Sequence, residues 1–375
     1  MEEFDIVIIG AGAVGLAIAS ELSSSTVNRS ILVLEKARTF GQETSSRNSE
    51  VIHGGMYYPS GTLKACLCIK GRRLLYEICR KQNIPCNKIG KLIIATEKEE
   101  LTDLEKIRIQ GESSGVEGLR LLSDSELKKM EPNLFGKAAL FSEETGIVDS
   151  HRLMEYFVYS AQRRGVMVAY NSIAGNISKT DRGYKIMVKN NKETLEINSS
   201  VVINCAGLDS DEVAKSAGIS LKEYKYELHY CKGQYFRVGS IKAKLLNSLA
   251  YPVPKPRSGG LGVHATLDLN GGLRLGPDER YLNNRIKDYS VDESKKHDFY
   301  LSVIKFMPFI NEKDLCVDTA GIRPKLQEEA GEFRDFVIRE ESDKGLPGFI
   351  NLIGIESPGL TASMAIGKYV KGLLR

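Results

Sequence analysis

Asp5-Ile6-Val7-Ile8-Ile9-Gly10-Ala11-Gly12-Ala13-Val14-Gly15 is the stretch on which the fold turns. Its first five residues are a β-branched run without polar alternation, the pattern of a strand buried on both faces in a parallel sheet. The run breaks into G-x-G-x-x-G and continues as Leu16-Ala17-Ile18-Ala19-Ser20-Glu21-Leu22, which reads as a helix. A second apolar strand, Ile31-Leu32-Val33-Leu34, ends in Glu35, twenty residues after Gly15. Each part has a mechanical purpose. Gly10 permits the tight turn, Gly12 lets the backbone approach a pyrophosphate, and Gly15 allows close packing of helix on strand. The helix N-terminus offers free N–H groups and partial positive charge to phosphates. Glu35 can accept hydrogen bonds from a ribose 2′-OH and would repel a 2′-phosphate. Strand, turn, helix, strand and acid in this order predict a dinucleotide site.

Composition narrows the rest. The chain has 375 residues, enough for two or three domains. Hydrophobic residues are 42% and charged ones 27%, ordinary values for a globular protein, so disorder, collagen and coiled coil are excluded as the main architecture. Lysine and arginine total 52 against 48 acidic residues, a formal charge of +4. A nucleic-acid binder concentrates more basic charge than this, so no nucleic-acid partner is expected. The seven cysteines form no C-x-x-C pair, so neither a redox motif nor a zinc site is expected. Unpaired cysteines suit a reducing compartment. Neither a cleavable signal nor an apolar run of membrane-spanning length is evident. The expected location is cytoplasmic, with peripheral contact at the inner face of a membrane left open.

The segment after Glu35 separates FAD from NAD. Lys36–Ser49 is a small, polar loop containing Thr44, Ser45, Ser46 and Ser49. An NAD domain would go on to its next helix and strand, whereas FAD enzymes of the glutathione-reductase class place a Ser/Thr-rich loop here. No second G-x-G-x-x-G follows, so FAD is the expected cofactor. Helices are predicted over Leu63–Lys81, Leu101–Ser113, Asp124–Met130 and His151–Gly165, the last after an Asp149-Ser150 cap. Strands are predicted at Lys91–Ala95, Val166–Tyr170, Tyr184–Lys189, Leu195–Ile197, Ser200–Gly207 and Phe349–Gly354, with a hairpin turn at Asp181-Arg182-Gly183. The glycine-rich stretch from Tyr224 to Leu275 alternates as antiparallel sheet does. Cys66 and Cys68 read as buried small apolar residues of a packed helix. The fold class is therefore α/β (α+β overall), a Rossmann-like FAD-binding domain of the glutathione-reductase type with a mostly antiparallel substrate domain. The FAD domain is expected at 1–85, 146–220 and 320–375, and the substrate or cap domain at 86–145 and 221–319.

Nearly the whole chain resembles the FAD-dependent D-amino-acid-oxidase-like superfamily, and within it the L-2-hydroxyglutarate dehydrogenase/oxidase family. The broad likeness lies in Gly10–Glu35, in Val202-Ile203-Asn204-Cys205-Ala206-Gly207 and in the Gly354–Gly367 tail. The narrower one lies in Asn48–Pro59, Leu63-Lys64-Ala65, Gly90-Lys91-Leu92-Ile93, Tyr251-Pro252-Val253-Pro254, Leu261-Gly262-Val263-His264, Leu275-Gly276-Pro277 and Gly321–Leu326. The resemblance implies oxidation of L-2-hydroxyglutarate to 2-oxoglutarate by hydride transfer to flavin N5, with oxygen or a quinone as acceptor. The residues expected to hold FAD are Gly10, Gly12, Ala13, Gly15, Glu35, Lys36, Thr44, Ser45, Asn48, Ser49, Ile173, Cys205, Ala206, Gly207, Gly354, Pro358, Gly359, Leu360 and Thr361.

Such a reaction needs a base for the hydroxyl proton and cations for the carboxylates. His264 is the expected base, since an imidazole is suited to proton abstraction near neutral pH. His53 is expected beside the substrate or flavin; some relatives bind flavin covalently through a histidine in a comparable stretch. Arg323 is the expected carboxylate clamp, its fork matching a carboxylate in bidentate geometry. Lys255 and Arg257 are candidates for the second carboxylate, and Tyr58 for a hydroxyl donor. Ser357-Pro358-Gly359 should open a helix whose N-terminus faces the flavin. The alternatives are a flavin amino-acid oxidase of the glycine or D-amino-acid type and a glycerol-3-phosphate dehydrogenase. A tRNA-binding flavoprotein is disfavoured by the spread of charge.

Overall fold

The apolar strand Glu2–Ile9 lies inside an eight-stranded sheet in the computed structural model, which describes residues 2–25, 29–190, 193–254 and 261–374. On one side it pairs in parallel with Ile31–Leu34, which in turn pairs with Met167–Ala169. On the other it pairs in parallel with Glu193–Asn204, which pairs in parallel with Leu346–Ile353. The lack of polar alternation in the first strand follows from this position. Ile6 and Ile8 enter a core with Leu16 of the first helix (Ala13–Ser25), Phe157 of Ser150–Gln162 and Ile366 of the C-terminal helix (Gly359–Leu373). Val7 and Ile9 enter a second core with Tyr184, Ile186 and Val213. Burying each such side chain is worth about 1.5–3 kcal/mol.

Asn204 marks where one long strand ends. Two separate strands were expected at Leu195–Ile197 and Ser200–Gly207, but the structure has a single strand over Glu193–Asn204. Its first half pairs antiparallel with Gly183–Asn190 and its second half parallel with Leu346–Ile353. The polar Asn198-Ser199-Ser200 looks like a break because the strand changes neighbours there while its backbone stays extended. The hairpin partner Ser172–Thr180 was not anticipated as a strand, and the turn falls at Asp181-Arg182, with Thr180 opposite Gly183.

The second sheet has nine strands. Its path runs Arg280–Tyr281, His229–Val238, Leu273–Leu275, Ala265–Leu267, Leu249–Pro252, Lys91–Ala95, Ala138–Ser142 and Leu119–Ser123, and Leu315–Lys325 pairs along His229–Val238. All its pairings are antiparallel except that of Leu249–Pro252 with Lys91–Ala95. Its core includes Phe236 against Phe299, ring centroids 4.7 Å apart. The helix Leu63–Gln82 starts at Thr62, whose hydroxyl accepts from Ala65 N. Cys68 of that helix is buried as expected, but Cys66 is exposed. Two residues apart on a helix, they cannot share a face. Among the described residues no helix is long and apolar enough to cross a membrane.

Candidate active site

Four loops leave the carboxyl ends of the parallel strands, where ligands of open α/β sheets bind. The first is Gly10–Gly15. Gly10 has φ +110°, and a Cβ there would lie 2.4 Å from Cys205 O; a Cβ on Gly15 would lie 2.0 Å from Gly10 O. No side chain fits at either position. The second loop begins at Glu35, which is buried and accepts from Ala11 N and Ala37 N, both at 2.8 Å. Ser45 Oγ in the same loop accepts from Ala13 N at 3.0 Å, tying the loop to the start of the first helix. The third loop holds Cys205–Asp209 and the fourth Glu356–Leu360. Across the first sheet's loops, Lys36 pairs with Glu43 and Asp209, and Lys287 from the far segment pairs with both carboxylates at 2.9 Å.

A cavity of about 1080 Å³ runs from these loops to the second sheet. Drug-sized ligands occupy pockets of about 300–1,000 Å³, so there is room for a dinucleotide and a small substrate. Its walls include Gly10, Gly12, Ala13, Gly15, Glu35, Lys36, Thr44, Ser45, Asn48, Ser49, Ile173, Cys205, Ala206, Gly207, Pro358, Gly359 and Leu360. His53, Tyr58, His264 and Arg323 line it too. Two expected cofactor residues do not. Gly354 turns the chain after the last strand with φ +72°. Thr361 is wholly buried, and its hydroxyl donates to Val51 O and accepts from His53 N, fixing the C-terminal helix to the His53 segment. Lys255 and Arg257 lie outside the described residues. The walls suit FAD: an open helix N-terminus, glycines at the close approach, an acid at the second strand end, and a half-buried Arg47 whose Nε is buried with no hydrogen-bond partner among the described residues.

At the other end of the cavity the two histidines stand near each other. His53 Nε2 is 3.1 Å from Ser357 Oγ, and Ser357 Oγ is 3.5 Å from Tyr58 OH. His264 Nδ1 is 2.8 Å from Gly262 O, and its ring stacks on Tyr251 with centroids 3.8 Å apart. A carbonyl can only accept, so Nδ1 carries the proton and Nε2 keeps a free lone pair. Burial above all, with the charge of Lys91, draws both imidazoles down to about 3. Both are therefore neutral near pH 7.

Arg323 stands on Leu315–Lys325, with Nη2 donating to Asp278 O at 3.0 Å and to Cys231 Sγ at 3.4 Å. Burial opposes its charge, but Cys231, Glu279 and Glu356 outweigh that and hold it above the usual arginine value. The other cations nearby are committed. Lys325 pairs with Glu279 at 2.5 Å and Lys64 with Glu356 at 2.9 Å. Among the described residues no carboxylate pairs with Arg323, and its Nε is buried without a partner.

Several residues of this end were missed: Arg47, Tyr251, Glu279, Glu356 and Lys91. Lys91 is completely buried on a strand that was expected, with no role given to the lysine. Period-two alternation puts it on the face of Ile93 and Ala95, a signal that could have found it.

This fold and site define a class, the flavin-dependent oxidoreductases: the family model described as FAD dependent oxidoreductase (DAO) matches residues 5–373. FAD is the cofactor. Within that class the chain belongs with the L-2-hydroxyglutarate dehydrogenases. It is 38% identical over 405 residues to the mitochondrial L-2-hydroxyglutarate dehydrogenase of Arabidopsis thaliana, covering 98% of this chain and 83% of that one. A glycerol 3-phosphate dehydrogenase of Caloramator mitchellensis is 32% identical, covering 99% and 74%. The dithionite-reduced L-alpha-glycerophosphate oxidase of Mycoplasma pneumoniae with FAD bound superposes with a TM-score of 0.87 at 28% identity, covering 100% and 95%.

Proposed function

We propose that this protein oxidises L-2-hydroxyglutarate to 2-oxoglutarate. The observation that carries the reading is a guanidinium without a carboxylate partner among the described residues, in the same cavity as a histidine with a free Nε2. FAD, when bound, would supply the two-electron acceptor for the hydride that leaves the substrate carbon. Gly10–Gly15, Glu35, Lys36, Thr44, Ser45, Asn48, Ser49, Ile173, Cys205–Gly207 and Pro358–Leu360 would hold it. Arg323 receives the substrate's C1 carboxylate and orients the carbon that carries the hydroxyl. His264 Nε2 removes the hydroxyl proton as the carbonyl forms. A bound dicarboxylate brings negative charge next to the imidazole and raises its proton affinity toward the working range. His53 and Tyr58, bridged by Ser357, supply polar contacts on the opposite side. Lys255 and Arg257 are proposed for the distal carboxylate. Residues 1–85, 146–220 and 320–375 are taken as the FAD-binding part and 86–145 with 221–319 as the substrate part.

Glycerol 3-phosphate is the second reading, favoured by the two relatives whose names carry it. A phosphate dianion calls for more uncommitted cations than Arg323, because Lys325 and Lys64 are already paired. Side-by-side turnover of both compounds decides: the proposal expects the hydroxy acid to be the better substrate by kcat/KM, and the reverse order overturns it. The acceptor is proposed to be oxygen or a quinone, distinguished by hydrogen peroxide formation in air. Seven free cysteines suit a cytoplasmic location, which cell fractionation tests.

A further inference from the structure

Lys91 is a buried titratable group near this site with no use in the account so far. Its side chain is completely buried, and its Nζ has no hydrogen-bond partner among the described residues. The amine lies 4.5 Å from the centroid of Tyr57 and 4.6 Å from that of Tyr251. Tyr251 in turn stacks on His264 at 3.8 Å. The ammonium is therefore within about 8 Å of the imidazole, with an aromatic ring beside each. Among the described residues no carboxylate pairs with it. From Leu63–Gln82 it meets Cys68, whose thiol burial pushes up to about 12. Arg72 of the same helix adds positive charge near that thiol and has Glu144 4.0 Å away. Tyr57 and Tyr251 are held as neutral phenols, raised first by burial. His53 and His264 face it from the cavity side, and Arg323 acts on His264 from Leu315–Lys325.

A lysine kept only for packing would be a poor choice here. Leaving a buried donor unsatisfied costs stability, and a charged one costs more. An apolar residue of the same length would avoid that cost. We propose that Lys91 is a positioning residue of the site: an ammonium set behind the two histidines whose charge, added to their burial, further lowers the proton affinity of both imidazoles and holds their lone pairs open to the substrate's hydroxyl proton. Its own value is drawn by burial to about 7. It is thus charged across the acid range in which an imidazole would otherwise gain a proton. The proposal rests on the reading of His264 as base, and the test separates the two.

The variant is Lys91→Met, studied as holoprotein with its five histidines labelled with ¹⁵N. At a separation of about 8 Å and an effective dielectric near 20, losing one charge shifts a pKa by about 1.5 units. The two buried imidazoles should then show about a thirtyfold larger protonated fraction at a given acid pH, and the acid limb of kcat/KM should move up by about 1.5 pH units. Lys91→Arg, which keeps the charge, should hold both near wild type. Unchanged imidazole titrations in Lys91→Met overturn the proposal, as does an arginine variant that behaves like the methionine one. If the imidazoles move while the acid limb of kcat/KM stays, Lys91 keeps its role and His264 loses the base assignment. Should the methionine variant fail to fold, Lys91→Gln removes the charge but keeps a polar tip and reads the same outcomes.

Discussion

Replacing Arg323 by methionine removes the guanidinium and keeps most of the apolar stem. The Nη2 atom is already anchored by Asp278 O and Cys231 Sγ, so the fork is fixed before substrate arrives. A carboxylate meeting it makes charge-assisted bonds in a largely dry site. Truncating one partner of a buried charge pair costs about 2–5 kcal/mol, and a value near 4 kcal/mol corresponds to about a thousandfold in kcat/KM. The contact exists before and during the reaction, so most of the loss should fall on KM. The fold should tolerate the change, because the guanidinium pairs with no carboxylate among the described residues. Steady-state kinetics with a dye acceptor, alongside the flavin-to-protein absorbance ratio, measures both. Arg323→Lys should recover only part of the loss, since an ammonium lacks the planar fork. A fall of less than about tenfold in kcat/KM at full flavin content would refute the clamp.

Other outcomes follow from the same geometry. His264→Gln should lower kcat by about 10²–10⁴ while flavin content stays near wild type; turnover within a few-fold of wild type would remove the base assignment. Gly10→Ala should yield protein lacking FAD or failing to fold, because the new Cβ meets Cys205 O at 2.4 Å with φ at +110°; a normal flavin spectrum would contradict this. Lys91→Met should stabilise the protein against heat at pH 6. Burial lowers Lys91 from the ordinary 10.5 to about 7, a cost of about 5 kcal/mol to the charged native state, partly offset by cation–π contacts of about 1–2 kcal/mol each. A depressed lysine destabilises fully below its folded value, and the cost fades as pH rises from about 7 to 10.5. The gain, roughly 2 kcal/mol net, should therefore shrink over that window; a gain that is independent of pH, or a loss, would count against a buried charge.

Much of the nucleotide half was legible because its constraints are local. A turn at Gly10, an acid at Glu35 and an unbroken apolar strand each follow from covalent geometry and burial within forty residues. His264 and Arg323 were legible from resemblance blocks, and both line the cavity. What was not legible depends on residues distant in sequence. Alternation along its strand could have marked Lys91 as inward-facing, but could not have shown that Tyr57, Tyr251 and Cys68 close around it. Glu193–Asn204 was cut in two because the polar Asn198-Ser199-Ser200, where an antiparallel neighbour gives way to a parallel one, reads as a break although the strand runs on. Thr361 was assigned to the cofactor from its place at a helix start, yet its hydroxyl is used up in joining two segments of backbone.

The most direct test is anaerobic mixing of the purified holoprotein with L-2-hydroxyglutarate while the absorption of oxidised flavin is followed. The account predicts rapid bleaching with the L-isomer and none with the D-isomer, before any electron acceptor is added. A flavin that stays yellow with L-2-hydroxyglutarate and bleaches with glycerol 3-phosphate would contradict it.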